Sequence, residues 1–178
     1  MKCYVGVDTS NYTTSVGIVD ADGNIAANVK RLLPVADGAC GLRQSDAVFH
    51  HVRQLPDIVE ELRGLCDAPI TAIAASDRPQ QREGSYMPCF LAGESQASVL
   101  ASALHVPLFR FSHQQGHIAA VCCGAGRGEL LDRPLLAWHL SGGTTELLYV
   151  EPEGRNVRAE KLGGTTDEEK LEKLIAAI

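Results

Sequence analysis

One sixteen-residue pattern of apolar and small polar positions occurs twice without a gap, as YVGVDTSNYTTSVGIV at 4–19 and LLAWHLSGGTTELLYV at 135–150. Ser10, Thr13 and Thr14 fall opposite Ser141, Thr144 and Thr145. Each copy is an apolar run, a short turn of hydroxyl or glycine residues, and a second apolar run, which predicts two strands joined by a tight loop. Small residues let backbone amides approach an anion closely, so two such loops suit a duplicated nucleotide-binding fold. Chance similarity between two hairpins is the alternative, and the repeat alone does not separate the two.

Between the hairpins the pattern changes period. Alternating or continuous apolar runs predict strands over Cys3–Thr9, Thr13–Val19 and Ile25–Leu32, with a turn at 20–23. Val48, Val52, Leu55, Val59 and Leu62 recur every three or four residues and predict a helix over Ser45–Leu65, which Pro56 should kink or restart. A strand over Ile70–Ala75, a long loop to Pro88, a helix over Phe90–Leu104, a strand over Val106–Phe111 and a third helix over His113–Cys123 follow. The fold class expected is α/β: three antiparallel strands, then alternating helix and strand in a mixed sheet. This order resembles the ribonuclease H-like unit of actin-like ATPases. The repeat sets the expected domains, a lobe at residues 1–134 and, at 135–178, the opening hairpin and helix of an incomplete second lobe.

Composition narrows the class of protein. With 45% hydrophobic and 21% charged residues, the chain is that of a globular protein. No run approaches membrane-spanning length, and the expectation is a cytoplasmic protein without a membrane partner. Six cysteines without a CxxC spacing predict buried reduced thiols rather than disulfides or a cysteine zinc site. A net charge of -6 argues against a broad basic surface, so a nucleic acid would have to meet a local patch or another subunit.

The sharpest chemical signal is His113-Gln-Gln-Gly-His117. Four residues apart on a helix, both imidazoles lie on one face and can reach one metal ion, with a third ligand from elsewhere. Two hydrogen-bonded polar residues at a helix start is the competing account. Zinc-protease chemistry is disfavoured, since Gln114 stands where HExxH needs a glutamate.

In order along the chain come Val5-Gly-Val-Asp-Thr-Ser10, His51-Val-Arg-Gln-Leu-Pro56, the spaced pair His113 and His117, and Leu140-Ser-Gly-Gly-Thr-Thr-Glu-Leu147. Together they resemble the TsaD/Gcp-type tRNA N6-threonylcarbamoyladenosine synthases of the actin-like ATPase (ASKHA) superfamily, in a divergent and C-terminally truncated form. The resemblance implies a transferase moving threonylcarbamoyl from its adenylate to N6 of the adenosine beside the anticodon. It implies a divalent metal, iron or zinc, at His113 and His117, and an adenine nucleotide, ATP or threonylcarbamoyl-adenylate. His139, Leu140, Ser141, Gly142 and Gly143 would line that nucleotide, with Asp8, Thr9, Ser10 and Asn11 facing them from the first lobe. No protein nucleophile is required, because the mixed anhydride arrives activated; the catalytic residues are therefore left unassigned. tRNA, met with the help of other subunits, and a TsaB-like paralogue are the implied partners.

Several positions depart from the family pattern. Thr144 replaces the histidine of the usual SGGHT, and the loop from Asp77 to Pro88 is longer and more charged than usual. Arg78, Arg82 and Tyr86 there could meet tRNA, although a solvated loop accounts for them as well. The second lobe's aspartate that would complete the metal site is missing. In its place, Thr166 and Glu169 form a capping box before a helix with an apolar stripe of Leu171, Leu174, Ile175 and Ile178, which is expected to cover the unfinished second sheet or to serve self-association. The chain alone is thus expected to be inactive or incomplete as an enzyme. A non-catalytic partner or scaffold of the same superfamily and a small-molecule actin-like kinase are the alternatives.

Overall fold

The computed structural model describes residues 2–35, 41–63, 65, 68–141 and 144–165. The chain forms two compact units, Met1–His113 and Gln114–Ile178. In the first, β1 (Cys3–Asp8), β2 (Thr13–Asp20) and β3 (Ile25–Leu32) pair antiparallel, while β4 (Ile70–Arg78) and β5 (Leu108–Ser112) run parallel to β1. The strand order is β3-β2-β1-β4-β5. Helices α1 (Gln44–Arg63) and α2 (Phe90–Leu104) supply the crossovers that parallel strands require. This is the ribonuclease H-like order that the sequence pattern predicts.

Alternation explains why the sheet has an inside. Val5, Val7, Val16 and Ile18 put every second side chain into one core, where Ile58, Leu62, Ile73, Ala97 and Ala101 meet them. Removing a Leu- or Ile-sized side chain from such a core costs about 2–5 kcal/mol. The small residues of α2 let that helix lie close to the strands. Gly93 is the tightest point, since a Cβ there would sit 2.8 Å from Thr9 Oγ1 and 3.1 Å from Val7 Cγ1.

Helix α1 corrects the expected apolar stripe. Its buried face is Ala47, His51, Leu55, Ile58 and Leu62, whereas Val52 and Val59 are exposed. The true face includes a histidine, which a count of apolar positions assigns to solvent. Pro56 does not restart the helix, which is continuous from Gln44 to Arg63. Pro56 and Val52, whose carbonyl it deprives of a donor, both lie on the exposed side, where water can take the carbonyl.

In the second unit β6 (Leu135–Ser141), β7 (Thr144–Glu153) and β8 (Asn156–Thr165) form an antiparallel meander. Ile118 and Cys122 of helix α3 (His113–Gly124) pack on Leu148, Val150 and Val157. Strand β8 has no counterpart among the predicted elements, because Arg158, Glu160 and Lys161 dilute its alternation and Gly163-Gly164 breaks it. Gly164 is required by a close approach: a Cβ there would run into the Thr145 carbonyl on β7. Cys3, Cys89 and Cys122 are free and buried as expected, but Cys123 is exposed; Cys40 and Cys66 lie outside the described residues. The expected C-terminal helix also lies outside them. No helix among the described residues is long and apolar enough to cross a membrane.

Candidate metal and nucleotide site

The two sequence repeats are also repeats of strand register. The offset that carries Tyr4 onto Leu135 turns the pair Tyr4↔Val19 into Leu135↔Val150, and Asp8↔Ser15 into His139↔Glu146. The second hairpin is paired further toward its tip, to Ser141↔Thr144. The equivalent positions carry different chemistry, a carboxylate in one and an imidazole in the other.

Asp8, at the end of β1, is the hub of the first unit's site. Its Oδ1 accepts from the Ser10 N–H at 2.8 Å, and its Oδ2 accepts from Ser76 Oγ at 2.7 Å and faces His113 Nδ1 at 2.8 Å. Burial by itself would raise the Asp8 pKa. The hydrogen bond and charge of His113, with the Ser10 and Ser76 donors, outweigh it and hold the carboxyl well below the usual carboxylate range. With Asp8 ionised, His113 Nδ1 is the donor, and Nε2 is the nitrogen that can present a lone pair. A carboxylate on Nδ1 is the arrangement that orients a metal-binding histidine.

The loop after Asp8 is fixed from inside. Thr9 is fully buried; its hydroxyl donates to the Cys89 carbonyl at 2.9 Å and accepts from the Gly93 N–H at 3.0 Å. What Thr9 offers a ligand is therefore backbone. Asn11 adopts a left-handed φ of 37°, tolerated by asparagine in tight turns. Behind the hairpin, Thr14 Oγ1 donates to Gln54 Oε1 at 2.7 Å and meets His51 Nδ1 at 2.8 Å. Because Thr14 has one proton, His51 donates from Nδ1. Its Nε2 is buried with no hydrogen-bond partner among the described residues. Burial lowers the His51 pKa to about 4, against the opposing pull of the Asp8 charge and the Asn11 backbone.

In the second unit, α3 is moored by the residues between its histidines. Gln114 Nε2 donates to Glu146 Oε2 at 3.2 Å, and Gln115 Nε2 to the Val157 carbonyl at 2.6 Å. His117 lies beside His139 of β6, ring centroids 6.0 Å apart and planes at 43°. Glu146 on β7, 5% exposed, receives Lys161 Nζ at 2.9 Å, and its Oε2 lies 3.6 Å from His139 Nδ1. Burial would raise the Glu146 pKa, but Lys161 and then His139 outweigh it and keep it low.

The sequence-predicted residues thus fall into two groups. Asp8 and His113 are brought together in the first unit, and His117 and His139 in the second. Leu140 is half-exposed beside His139, Ser141 ends β6, and Gly142 and Gly143 lie outside the described residues. Among the described residues no three His, Cys, Asp or Glu side chains converge as a metal cage. Ser76 and Lys161 carry no sequence signal, and His51, Gln114, Gln115 and Glu146 stand within the quoted motifs without a site role. For Glu146 a signal existed: extending the hairpin register places it opposite His139.

Fold and site together define an actin-like, ribonuclease H-like α/β protein. YeaZ from Pseudomonas aeruginosa has this fold, with a TM-score of 0.51 at 14% identity over 94% of this chain and 68% of that one. The inorganic polyphosphate/ATP-glucomannokinase of Arthrobacter sp. strain KM has it too, with a TM-score of 0.50 at 15% identity over 92% of this chain and 62% of that one. The chain belongs to the TsaD family, tRNA N6-adenosine threonylcarbamoyltransferase, whose family model matches residues 37–176. Relatives bearing that name include one from Methanopyrus kandleri at 30% identity and one from Streptococcus pneumoniae at 32%, each over 83% of this chain. The chain spans 42% of the length of these relatives.

Proposed function

We propose that this chain supplies the first lobe, the metal-binding helix and the LSGG hairpin of a tRNA N6-adenosine threonylcarbamoyltransferase. By the sequence repeat residues 1–134 are the first actin-like lobe and 135–178 open the second, although α3 packs within the compact unit that begins at Gln114. The observation that carries the proposal is the Asp8–His113 contact of 2.8 Å at the head of α3, with His117 one turn further on, in a chain of this family. Imidazole donors backed by a carboxylate fit iron or zinc. Bound there, such an ion would supply Lewis-acid polarisation of ligand oxygens.

The chain's own residues do the rest. Asp8 fixes the His113 ring. The Ser10 and Asn11 backbone and residues 140–143 hold threonylcarbamoyl-adenylate, and backbone amides stabilise charge as N6 of the adenosine attacks the carbamoyl carbon, the bond to phosphate breaks, AMP leaves and N6 gives its proton to solvent. Positioning an activated mixed anhydride is the whole task, so no side chain forms a covalent intermediate. tRNA meets the protein in the cytoplasm together with a TsaB-like paralogue, since an acidic chain needs a partner's basic surface.

Nucleoside mass spectrometry of tRNA incubated with threonylcarbamoyl-adenylate tests this. The chain alone is expected to give little or no product. Combined with the second lobe of the Streptococcus pneumoniae relative, it should form threonylcarbamoyladenosine only with His113 and His117 intact. No product, while that relative's own full-length protein works in the same assay, overturns the transferase reading.

A further inference from the structure

We propose that the open edge of β6 is a self-association site, at which two copies of this chain pair their β6 strands antiparallel about a twofold axis centred on Trp138. The inference stands apart from the transferase reading and from the metal.

Among the described residues four strands stand at sheet edges, β3 and β5 in the first unit and β6 and β8 in the second. An edge strand offers a row of unpaired backbone groups, and chains guard against stray pairing with charges, breaks in register or short length. Three of the four are guarded in this way. Strand β3 carries Lys30 and Arg31; β5 is five residues long and carries Arg110; β8 carries Arg158, Glu160 and Lys161 and pairs with β7 through a register shift. By contrast β6, Leu-Leu-Ala-Trp-His-Leu-Ser, has no Lys, Arg, Asp, Glu or Pro, and its register with β7 is unbroken over all seven residues. Its one ionisable side chain, His139, sits beside His117 of α3.

The internal repeat shows that this strand position is one that takes a second neighbour. Strand β1 holds the place of β6 in the first unit, and it pairs with β2 on one side and β4 on the other. Val5, Val7 and Thr9 are buried there. Their counterparts at the same offset, Leu136, Trp138 and Leu140, are 63%, 53% and 47% exposed. Alternation puts these three on the face turned away from that of Leu135 and Ala137, which pack on the α3 cluster.

The order of the three residues selects the occupant. Leu-x-Trp-x-Leu reads the same in both directions, so it is complementary to itself in an antiparallel pair. With Trp138 opposite its own copy, Leu136 of each chain lies opposite Leu140 of the other, which is the self-complementarity that a twofold contact requires. Aromatic and branched apolar side chains are favourable cross-strand pairs. Pairing uses up both unguarded edges and leaves the charged β8 strands at the two ends, so association stops at the dimer.

Sedimentation velocity of the full chain over a dilution series decides the matter. Wild type should pass from dimer to monomer on dilution, and the emission of Trp138, the single tryptophan, should move to longer wavelength as the ring is uncovered. Trp138→Lys removes the central aromatic anchor and sets like charges opposite one another; it should weaken the dimer by roughly thirtyfold or more. Should that variant fail to fold, Leu136→Lys and Leu140→Glu test the register itself. Each alone should weaken the dimer, and both in one chain should restore it, because antiparallel pairing sets position 136 opposite position 140. A wild type that stays monomeric throughout the series, or that forms open-ended polymers, overturns the inference and leaves the edge to some other strand. A dimer indifferent to Trp138→Lys, or a double variant no stronger than the singles, overturns it as well, since the contact would then lie elsewhere on the chain.

Discussion

The two repeat threonines are alike in sequence and burial but opposite in partnership. Thr14 is fully buried with its hydroxyl bonded to Gln54 and His51; Thr145, 2% exposed, has a buried hydroxyl with no partner among the described residues. Thr14→Val should therefore cost about 1–3 kcal/mol by orphaning His51 and Gln54, whereas Thr145→Val should be neutral or stabilise by up to about 1 kcal/mol. Urea denaturation of both variants checks this, and equal losses would contradict it. His51 adds a pH dependence. Its folded pKa of about 4 lies below the usual 6.5, so the unfolded chain binds the proton more readily. Its contribution is complete above about pH 6.5 and falls as pH drops toward 4, amounting to about 2 kcal/mol between pH 7 and 5. Asp8 and Glu146 have lowered pKa values and lose their contributions only at more acidic pH. His51→Gln should flatten the fall in urea midpoint over that range; an unchanged slope would rule out the assignment. At this scale the sequence singles out residues with a local signature, His113 and His117 by their spacing. It hid those defined by a distant partner. His51, Glu146 and Ser76 acquire meaning only when folding brings Thr14, His139 and Asp8 to them.

At the scale of elements, legibility followed how much of each pattern was set by local physics. Strands β1 to β3 and helix α2 match their expected spans closely because alternation and small-residue content act within each segment. Helix α1 was found but rotated, since its buried face includes His51, and β8 was missed because an edge strand with charged residues needs little apolar alternation. Two of the helix glycines make the same distinction testable. Gly93 on α2 faces Thr9 and Val7 at distances a Cβ cannot share, while Gly116 on α3 has nothing within 4 Å of a built Cβ. Gly93→Ala should destabilise by about 1–3 kcal/mol, because α2 must withdraw from the end of β1 and loosen Thr9. Gly116→Ala should stabilise by roughly 0.5–1 kcal/mol, as the usual helical preference for alanine has no steric opposition. Thermal unfolding of the two variants reads both signs. A stabilising Gly93→Ala would mean that α2 does not need its close approach.

For the whole molecule, the decisive fact is that each unit buries its own apolar cluster. Among the described residues the larger cluster lies in the first unit, with Val5, Val16, Ile58 and Ile73 at its centre, and the smaller is built on Ile118, Leu148 and Val150. Buried apolar area sets stability, so the second unit should unfold first. The chain carries its own reporters for this. Trp138 lies in the second unit and is the only tryptophan, while α1 and α2, both in the first unit, are the longer helices among the described residues. In urea, tryptophan fluorescence should therefore change at lower denaturant than far-UV circular dichroism, a departure from two-state behaviour. Zinc at about one hundred times its dissociation constant should raise the stability reported by Trp138 by about 2.7 kcal/mol, and a chelator should reverse it. Coincident transitions by both probes would mean the two units unfold as one. A fluorescence midpoint unmoved by zinc would mean that no ion binds selectively to the folded second unit, and with it the metal would lose its place on α3.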